Sequence, residues 1–139
     1  MSLGQHFEYR VRDRLRACGY EVIRAAASKT CVDLVAIRER VLLVQCKRGS
    51  IPRTVEWNAL YDLAECSGCI PVLASMPGRT GIRFYQLAER KVGTPGVRSP
   101  LIPFEVSPMG EIHAAGVGVS NSKLGGRPRS TETWLMAAL

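Results

Sequence analysis

Three polar side chains of different chemical types, those of Asp33, Gln45 and Lys47, lie within one short stretch of the sequence. They offer a carboxylate, an amide oxygen and an ammonium group, which can hold a hard cation and stabilise a negatively charged oxygen. Successive side chains of a strand point to opposite faces, so Gln45 and Lys47 project together and Cys46 projects the other way. Collecting such groups at one sheet edge costs free energy unless a ligand uses them, so we expect a functional site there.

A β-hairpin would bring the acid to the other two groups. Two short apolar runs, Val32–Ile37 and Val41–Val44, flank a charged turn at residues 38–40, a pattern typical of two antiparallel strands. Asp33 opens the first strand, and the amide and the amine close the second. The pattern therefore predicts that the three side chains meet at one end of the hairpin.

A second acid, Glu8, lies on a predicted amphipathic helix at Leu3–Cys18, with Ser2 as its N-cap and Gly19 as its C-terminal stop. The apolar stripe of this helix comprises Phe7, Val11, Leu15 and Cys18. Glu8 lies at the margin of the stripe, from which its carboxylate can lean over the sheet edge. Helix geometry alone favours an alternative, an i,i+4 ion pair with Arg12 worth about 0.2–0.5 kcal/mol.

The other elements predict an α/β fold with a mixed central β-sheet flanked by helices. They are a strand at Tyr20–Arg24, a helix at Thr54–Ser67, strands at Cys69–Ser75 and Ile82–Leu87, and an edge strand at Leu101–Val106. The strand at Cys69–Ser75 is almost continuously apolar, as expected for a strand covered on both faces. The second helix is expected to face inward through Val55, Leu60, Leu63 and Ala64.

Composition changes after Glu89, where frequent prolines and glycines prevent long regular elements. We therefore expect a core at residues 1–90 and a Pro/Gly-rich C-terminal extension at residues 91–139, packed on or trailing from the core within a single domain. Residues 123–129 are expected to form a flexible basic loop. Ser130 is expected to cap a short helix that carries Trp134 and Leu135.

The chain is basic, with nineteen Lys and Arg residues against twelve Asp and Glu residues and a formal net charge of +7. Such an excess suits a polyanionic partner, although a merely soluble basic protein would show the same total. The distribution favours a polyanion, because many of the basic residues lie close to the Asp33–Lys47 stretch in the sequence. The candidate nucleic-acid contacts are Arg10, Arg12, Arg24, Lys29, Arg48 and Arg53.

No apolar run reaches the ~18 residues of a membrane span, and the N-terminus lacks the apolar centre of a secretory signal. We therefore expect no membrane partner and a cytoplasmic location. If the protein is viral, this would be the cytoplasm of a host cell. Five cysteines without an export signal argue against a disulfide framework. Cys66 and Cys69 have the spacing of a zinc or redox pair, but no second pair accompanies them, so ordinary thiols are expected.

The ordered set Glu8, Asp33, Gln45 and Lys47 resembles the signature of the PD-(D/E)xK nucleases, and most closely that of the archaeal-type Holliday junction resolvases. The likeness is carried, in the family's order, by residues 4–8 (GQHFE), 22–29 (VIRAAASK), 32–36 (VDLVA), 44–47 (VQCK), 70–74 (IPVLA) and 82–84 (IRF). An acid and a lysine at this spacing also occur by chance. The serine-bearing loop and the IPVLA strand make the signal specific.

This resemblance implies a restriction-endonuclease-like fold and Mg²⁺-dependent DNA cleavage, with Mn²⁺ able to replace Mg²⁺. It implies cation ligands at Glu8, Asp33, Gln45 and the backbone carbonyl of Cys46. Lys47 would orient or help to deprotonate the attacking water and stabilise the charge that develops on the phosphate. Ser28 would belong to the site through a hydrogen bond to the phosphate, although a serine in a loop is also an ordinary turn residue.

The sequence departs from the family at Gln45, where the family carries a glutamate. An amide oxygen can ligate a hard cation but brings no charge, so the affinity for the cation should fall. Either Glu8 and Asp33 suffice for cleavage, or the protein binds junctions and cuts them weakly or not at all. A third hypothesis keeps the nuclease and changes its substrate to another branched DNA or to duplex DNA. We expect an active enzyme, because Glu8, Asp33 and Lys47 are all present.

The resemblance also implies a homodimer, whose symmetry supplies two active sites for two opposed strands of a four-way junction. The expected interface comprises the second helix, the final strands and the segment around Trp134. Recognition is expected to depend on the shape of the junction and on the DNA backbone, since no segment resembles a helix that reads the major groove.

Overall fold

The computed structural model of the 139-residue chain describes residues 2–25, 30–78, 80–94 and 100–108. These residues fall within one compact unit, Met1–Pro108. The predicted basic loop at 123–129 and the predicted terminal helix after Ser130 lie outside the described residues. In the described ranges, no helix is long and apolar enough to cross a membrane.

A mixed six-stranded sheet forms the centre of this unit. In chain order the elements are α1 (Leu3–Ala17), β1 (Glu21–Arg24), β2 (Leu34–Ile37), β3 (Val41–Cys46), α2 (Thr54–Ser67), β4 (Ile70–Ser75), β5 (Arg83–Leu87) and β6 (Leu101–Pro103). The strands lie side by side in the order β1 to β6, and all neighbours are antiparallel except β3 and β4, which are parallel. Helix α2 provides the crossover that this parallel pair requires. The predicted α/β fold with a mixed sheet is confirmed, and the boundary predicted after residue 90 stays a prediction.

Helix α1 begins where its sequence predicts. Ser2 Oγ accepts a hydrogen bond from Gln5 N (3.2 Å), and Gln5 Oε1 accepts one from Ser2 N (3.1 Å). This capping box satisfies two backbone donors that the helix cannot satisfy itself. The residues that α1 buries are Phe7, Val11 and Leu15. Their packing against the sheet sets the rotation of the helix, and with it the direction in which Glu8 projects.

The two faces of the sheet are covered by different helices. Val44 belongs to the core cluster that contains the buried residues of α1, whereas Leu43 belongs to the cluster that contains those of α2. Cys46 packs against the α1 cluster, so Gln45 lies on the opposite face, which α2 covers. The predicted separation of Gln45 and Cys46 onto opposite faces of β3 is therefore confirmed.

The buried face of α2 differs from the prediction. Trp57, Leu60 and Ala64 are buried, whereas Val55 and Leu63 are 78% and 43% exposed. The expected inward face was therefore wrong at the two exposed positions. The indole of Trp57 is a large apolar group, and turning it towards the sheet rotates the side chains of Val55 and Leu63 away from the core.

Candidate active site

The β2–β3 hairpin places Asp33 beside the end of β3, as the sequence predicts. Leu34 pairs with Val44 across the hairpin, and Asp33 N donates to Val44 O (2.9 Å). The Asp33 carboxylate, through Oδ2, accepts a hydrogen bond from Cys46 N (2.8 Å). A backbone donor of this kind holds a carboxylate in one orientation. Asp33 therefore presents its carboxylate oxygens in a fixed orientation at this edge of the sheet and is not a freely solvated side chain.

Lys47 follows β3 directly and is held through both its backbone and its ammonium group. Its N–H donates to Ala74 O on the neighbouring strand β4 (2.9 Å). Its Nζ lies 3.4 Å from Glu56 Oε2 on α2. The two side chains are only 31% and 26% exposed, so this ion pair is partly shielded from water. Lys47 therefore does not extend freely into solvent.

Gln45 is a buried polar residue whose side-chain oxygen lacks a hydrogen-bond donor. The residue is 5% exposed, and Oε1 has no partner among the described residues. Leaving a buried acceptor unpaired costs about 1–3 kcal/mol. A hard cation binds through oxygen atoms of this type, so the unpaired amide oxygen fits the predicted role of Gln45 as a neutral ligand.

Glu8 forms its ion pair with the sheet and not along its own helix. Its Oε1 lies 3.2 Å from Arg24 Nε at the end of β1. Arg12 pairs instead with Asp13 (2.9 Å), so the i,i+4 alternative is not what the structure shows. Arg24 also lies over the ring of Tyr9, 5.0 Å from its centroid. These contacts draw the Glu8 carboxylate towards the strands that carry the other site residues.

The charges of the neighbouring site residues change the pKa of the Asp33 carboxyl. Burial is the largest influence and raises the pKa of the Asp33 carboxyl, while the hydrogen bond from Cys46 N lowers it. The charges of Glu8 and Glu56 also raise this pKa, and that of Lys47 lowers it. Residues from both helices and from the end of β3 therefore lie close enough to Asp33 to form one electrostatic site.

The raised pKa predicts that Asp33 destabilises the protein when no cation is bound. The folded state disfavours the ionised carboxyl, so the penalty is absent below the unfolded pKa near 3.8 and complete above the folded pKa. Asp33→Asn keeps an acceptor for Cys46 N and should therefore raise the melting temperature at neutral pH in the presence of a chelator. Thermal denaturation should show this gain shrinking as the pH falls towards 3.8. A variant less stable than wild type at neutral pH would contradict this prediction.

A hard divalent cation prefers oxygen ligands, and the predicted ligands all offer oxygen atoms. The groups predicted to ligate it are the carboxylates of Glu8 and Asp33, the amide oxygen of Gln45 and the carbonyl of Cys46. Within the described ranges, no three His, Cys, Asp or Glu side chains are grouped so that they could hold a metal ion. Mg²⁺ would need fewer protein ligands than such a group offers, because it keeps several waters and substrate oxygens.

The predicted nucleic-acid contacts divide into exposed and half-buried side chains. The exposed ones are Arg10, Arg48 and Arg53, and Arg53 Nε also lies 3.7 Å from Glu56 Oε1. The half-buried ones, each in an ion pair with an acid, are Arg12 and Arg24. Arg48 and Arg53 lie in the segment between Lys47 and α2, and their contact with DNA stays a prediction. The predicted site residues outside the described ranges are Ser28 and Lys29.

Glu56 is a residue of this site that sequence reasoning did not identify. It occupies the third position of α2, where its Oε1 accepts a hydrogen bond from Arg53 N (3.1 Å). The signal in the sequence is that of a helix start, since an acid at this position commonly binds the backbone of the N-cap. The contact with Lys47 depends on how α2 crosses from β3 to β4, which local patterns do not specify.

Two comparisons with known proteins found matches to this chain. Residues 1–94 match the family described as archaeal Holliday junction resolvase (Hjc). The fold is similar to that of Hjc from Archaeoglobus fulgidus, a Holliday junction resolvase from an archaeal hyperthermophile, with a TM-score of 0.55 and 28% sequence identity. The match covers 66% of this chain and 80% of that one. None of the curated proteins compared with this chain matches it.

Proposed function

This chain belongs to the archaeal Holliday junction resolvase family, and on that premise we propose that it is a Mg²⁺-dependent endonuclease that resolves four-way DNA junctions by paired nicks. What supports the proposal is that the Asp33 carboxylate accepts from Cys46 N at the end of β3 and feels the charge of Lys47, while the neighbouring Gln45 has a buried, unpaired oxygen. Nucleases of this family depend in general on a metal ion. The identity of that ion as Mg²⁺, with Mn²⁺ as a substitute, is part of the proposal.

The protein contributes to the proposed mechanism through oxygen atoms that can ligate a cation and through the amine of Lys47. Glu8 and Asp33 supply the negative charge that holds the cation, and Gln45 and the Cys46 carbonyl supply neutral oxygens. When bound, Mg²⁺ would polarise the scissile phosphate and make a water molecule more acidic. Lys47 Nζ orients the attacking water and donates to a phosphate oxygen, where it stabilises the charge that develops during cleavage.

Binding to the junction is proposed to depend on the DNA backbone. Arg48 and Arg53 are exposed beside the site and can contact phosphates that flank the scissile bond. Contacts of this kind position the DNA without reading its sequence. They weaken as salt rises, because releasing counterions into a more concentrated solution gains less free energy. We therefore propose selectivity for the shape of the branch point.

Cleavage of a synthetic four-way junction in Mg²⁺ tests this function. Each of the four strands is labelled in turn, so that a denaturing gel shows which strands are cut and at which positions. We expect symmetric nicks in two opposed strands, and weaker cleavage of a linear duplex with the same sequences. Binding of the junction without paired nicks would contradict the proposal, and preferential cutting of flaps or duplex would assign the nuclease another substrate.

Gln45 motivates a second candidate function, that of a junction-binding protein with weak or no cleavage. A glutamate at this buried position would add negative charge beside Asp33, whose pKa is already raised by burial and by neighbouring acids. We therefore expect Gln45→Glu to leave the rate of junction cleavage within about threefold of wild type or to lower it. Single-turnover kinetics in Mg²⁺ measure this rate. A gain of tenfold or more would favour the binding protein.

We propose further that the enzyme is a homodimer, with α2 at its interface. Three apolar residues spaced four apart on this helix, Val55, Ala59 and Leu63, are exposed, and Ile102 on β6 is 52% exposed. An apolar stripe that packs against none of the described residues of its own chain is typical of a surface that binds another copy. We expect light scattering to give twice the mass of the chain and Val55→Glu to lower it. A monomer at micromolar concentration would contradict this prediction.

A further inference from the structure

We infer that Glu56 is a positioning residue for Lys47 and that it supplies the carboxylate that this sequence lacks at position 45. The inference rests on the proposed function, because it concerns the same active site. In this arrangement Glu56 keeps the ammonium group of Lys47 at the sheet edge, from which it can turn to a phosphate oxygen.

Glu56 is itself held in place at the start of α2. One carboxylate oxygen, Oε1, accepts a hydrogen bond from Arg53 N (3.1 Å) and lies 3.7 Å from Arg53 Nε. The next residue, Trp57, is fully buried and anchors this turn of the helix to the sheet. The other oxygen, Oε2, faces Lys47 Nζ at 3.4 Å. A carboxylate that is already fixed can orient a flexible lysine, since only the lysine then loses rotational freedom on pairing.

The residue at position 45 explains why an acid from another element is needed. A glutamate there would share a strand face with Lys47, two positions away, and could balance its charge directly. Gln45 is neutral, and its oxygen is buried without a donor among the described residues. The carboxylate that the structure places against Lys47 comes instead from α2. The negative charge that faces Lys47 is therefore carried by α2 and not by β3.

If Glu56 had a purely structural role, it would only cap the N-terminus of α2. Glutamine at this position keeps an oxygen that can accept the hydrogen bond from Arg53 N, so Glu56→Gln removes the charge and preserves the cap. The matched control is Glu65→Gln, which removes an exposed acid farther along the same helix. Melting temperatures within about two degrees of wild type would show that both variants are folded.

Acylation of lysine tests the contact without reference to nuclease activity. Acetic anhydride modifies an amine faster when no carboxylate holds it, and peptide mass spectrometry follows each lysine separately. We expect Lys47 to react about threefold faster in Glu56→Gln than in wild type and at the wild-type rate in Glu65→Gln. Lys91, which donates to Pro52 O (3.0 Å), should react alike in all three proteins. Equal rates for Lys47 in wild type and Glu56→Gln would overturn the inference.

Moving the negative charge from position 56 to position 45 tests the role of Glu56 in cleavage. We expect Glu56→Gln to lower the cleavage rate at saturating enzyme by about 10- to 100-fold, with the affinity for the junction within about twofold of wild type. Adding Gln45→Glu to this variant should restore most of the lost rate, because an acid again faces Lys47. Wild-type cleavage by Glu56→Gln, or no recovery in the double variant, would overturn the inference. If wild type does not cut junctions, the proposed function fails, and the acylation rates alone decide the inference.

Discussion

Asp33→Asn is expected to lower the rate of junction cleavage by about 10³-fold while leaving the affinity for the junction within a few-fold of wild type. The asparagine keeps an oxygen for Cys46 N, so the hairpin geometry that Asp33 sets through this 2.8 Å hydrogen bond is preserved. It removes the negative charge that a hard cation requires at the site. Single-turnover cleavage of a labelled junction in Mg²⁺ measures the rate, and a gel shift without Mg²⁺ measures the affinity.

The stability of the same variant separates lost catalysis from lost folding. Because the raised pKa of Asp33 predicts that this residue destabilises the cation-free protein, an inactive Asp33→Asn enzyme should also be more stable. Such a trade-off between stability and activity is common at active sites. Asp62→Asn is the matched control, since Asp62 is an exposed acid on α2 that pairs with Arg90. This control should cleave like wild type. If Asp33→Asn retained more than about a tenth of the wild-type rate, Asp33 would not be essential to the reaction.

Trp57→Ala is expected to lower the free energy of unfolding by about 3–5 kcal/mol, a large part of the 5–15 kcal/mol typical of a domain. The side chain is completely buried, and its Nε1 donates to Glu89 O (2.8 Å). The substitution therefore leaves a cavity under α2 and a carbonyl without its donor. Urea denaturation followed by circular dichroism measures the change.

Val55→Ala, two positions earlier on α2, is the control for this effect. Val55 is 78% exposed within its own chain, so under conditions where the protein is monomeric its truncation should change the free energy of unfolding by less than about 0.5 kcal/mol. The two variants together test which side of α2 faces the sheet. A loss below about 1 kcal/mol for Trp57→Ala, or a larger loss for Val55→Ala than for Trp57→Ala, would contradict the packing described above.

The elements of this fold follow from patterns that act over a few residues. Ser2 as the N-cap and the helical spacing of Phe7 and Val11 predict α1, and both are observed. The two apolar runs around residues 38–40 predict the hairpin, whose antiparallel register is observed from Leu34 to Ile37. Period and capping depend on the local backbone, so they can be read without knowing what packs against the element.

The rotation of α2 could not be predicted with the same success. Val55 and Leu63 are as apolar as the residues that the helix buries, and a pattern of aliphatic residues does not specify which of two overlapping faces meets the sheet. Trp57 decides which face of α2 is buried, because burying its indole removes more apolar surface from water than burying either aliphatic side chain. That comparison depends on the space available beneath the helix, which is a property of the assembled core.

The sequence by itself determined which residues of the hairpin could form a site, because the strand period places Gln45 and Lys47 on one face and the turn returns Asp33 to their end of the sheet. Only the tertiary structure decided which partners these residues have. Glu8 pairs with Arg24 instead of Arg12, and Lys47 faces Glu56 instead of a neighbour on its own strand. The physical reason is that strand geometry is local, whereas an ion pair between elements depends on how helices cross the sheet, which the packing of the whole core sets.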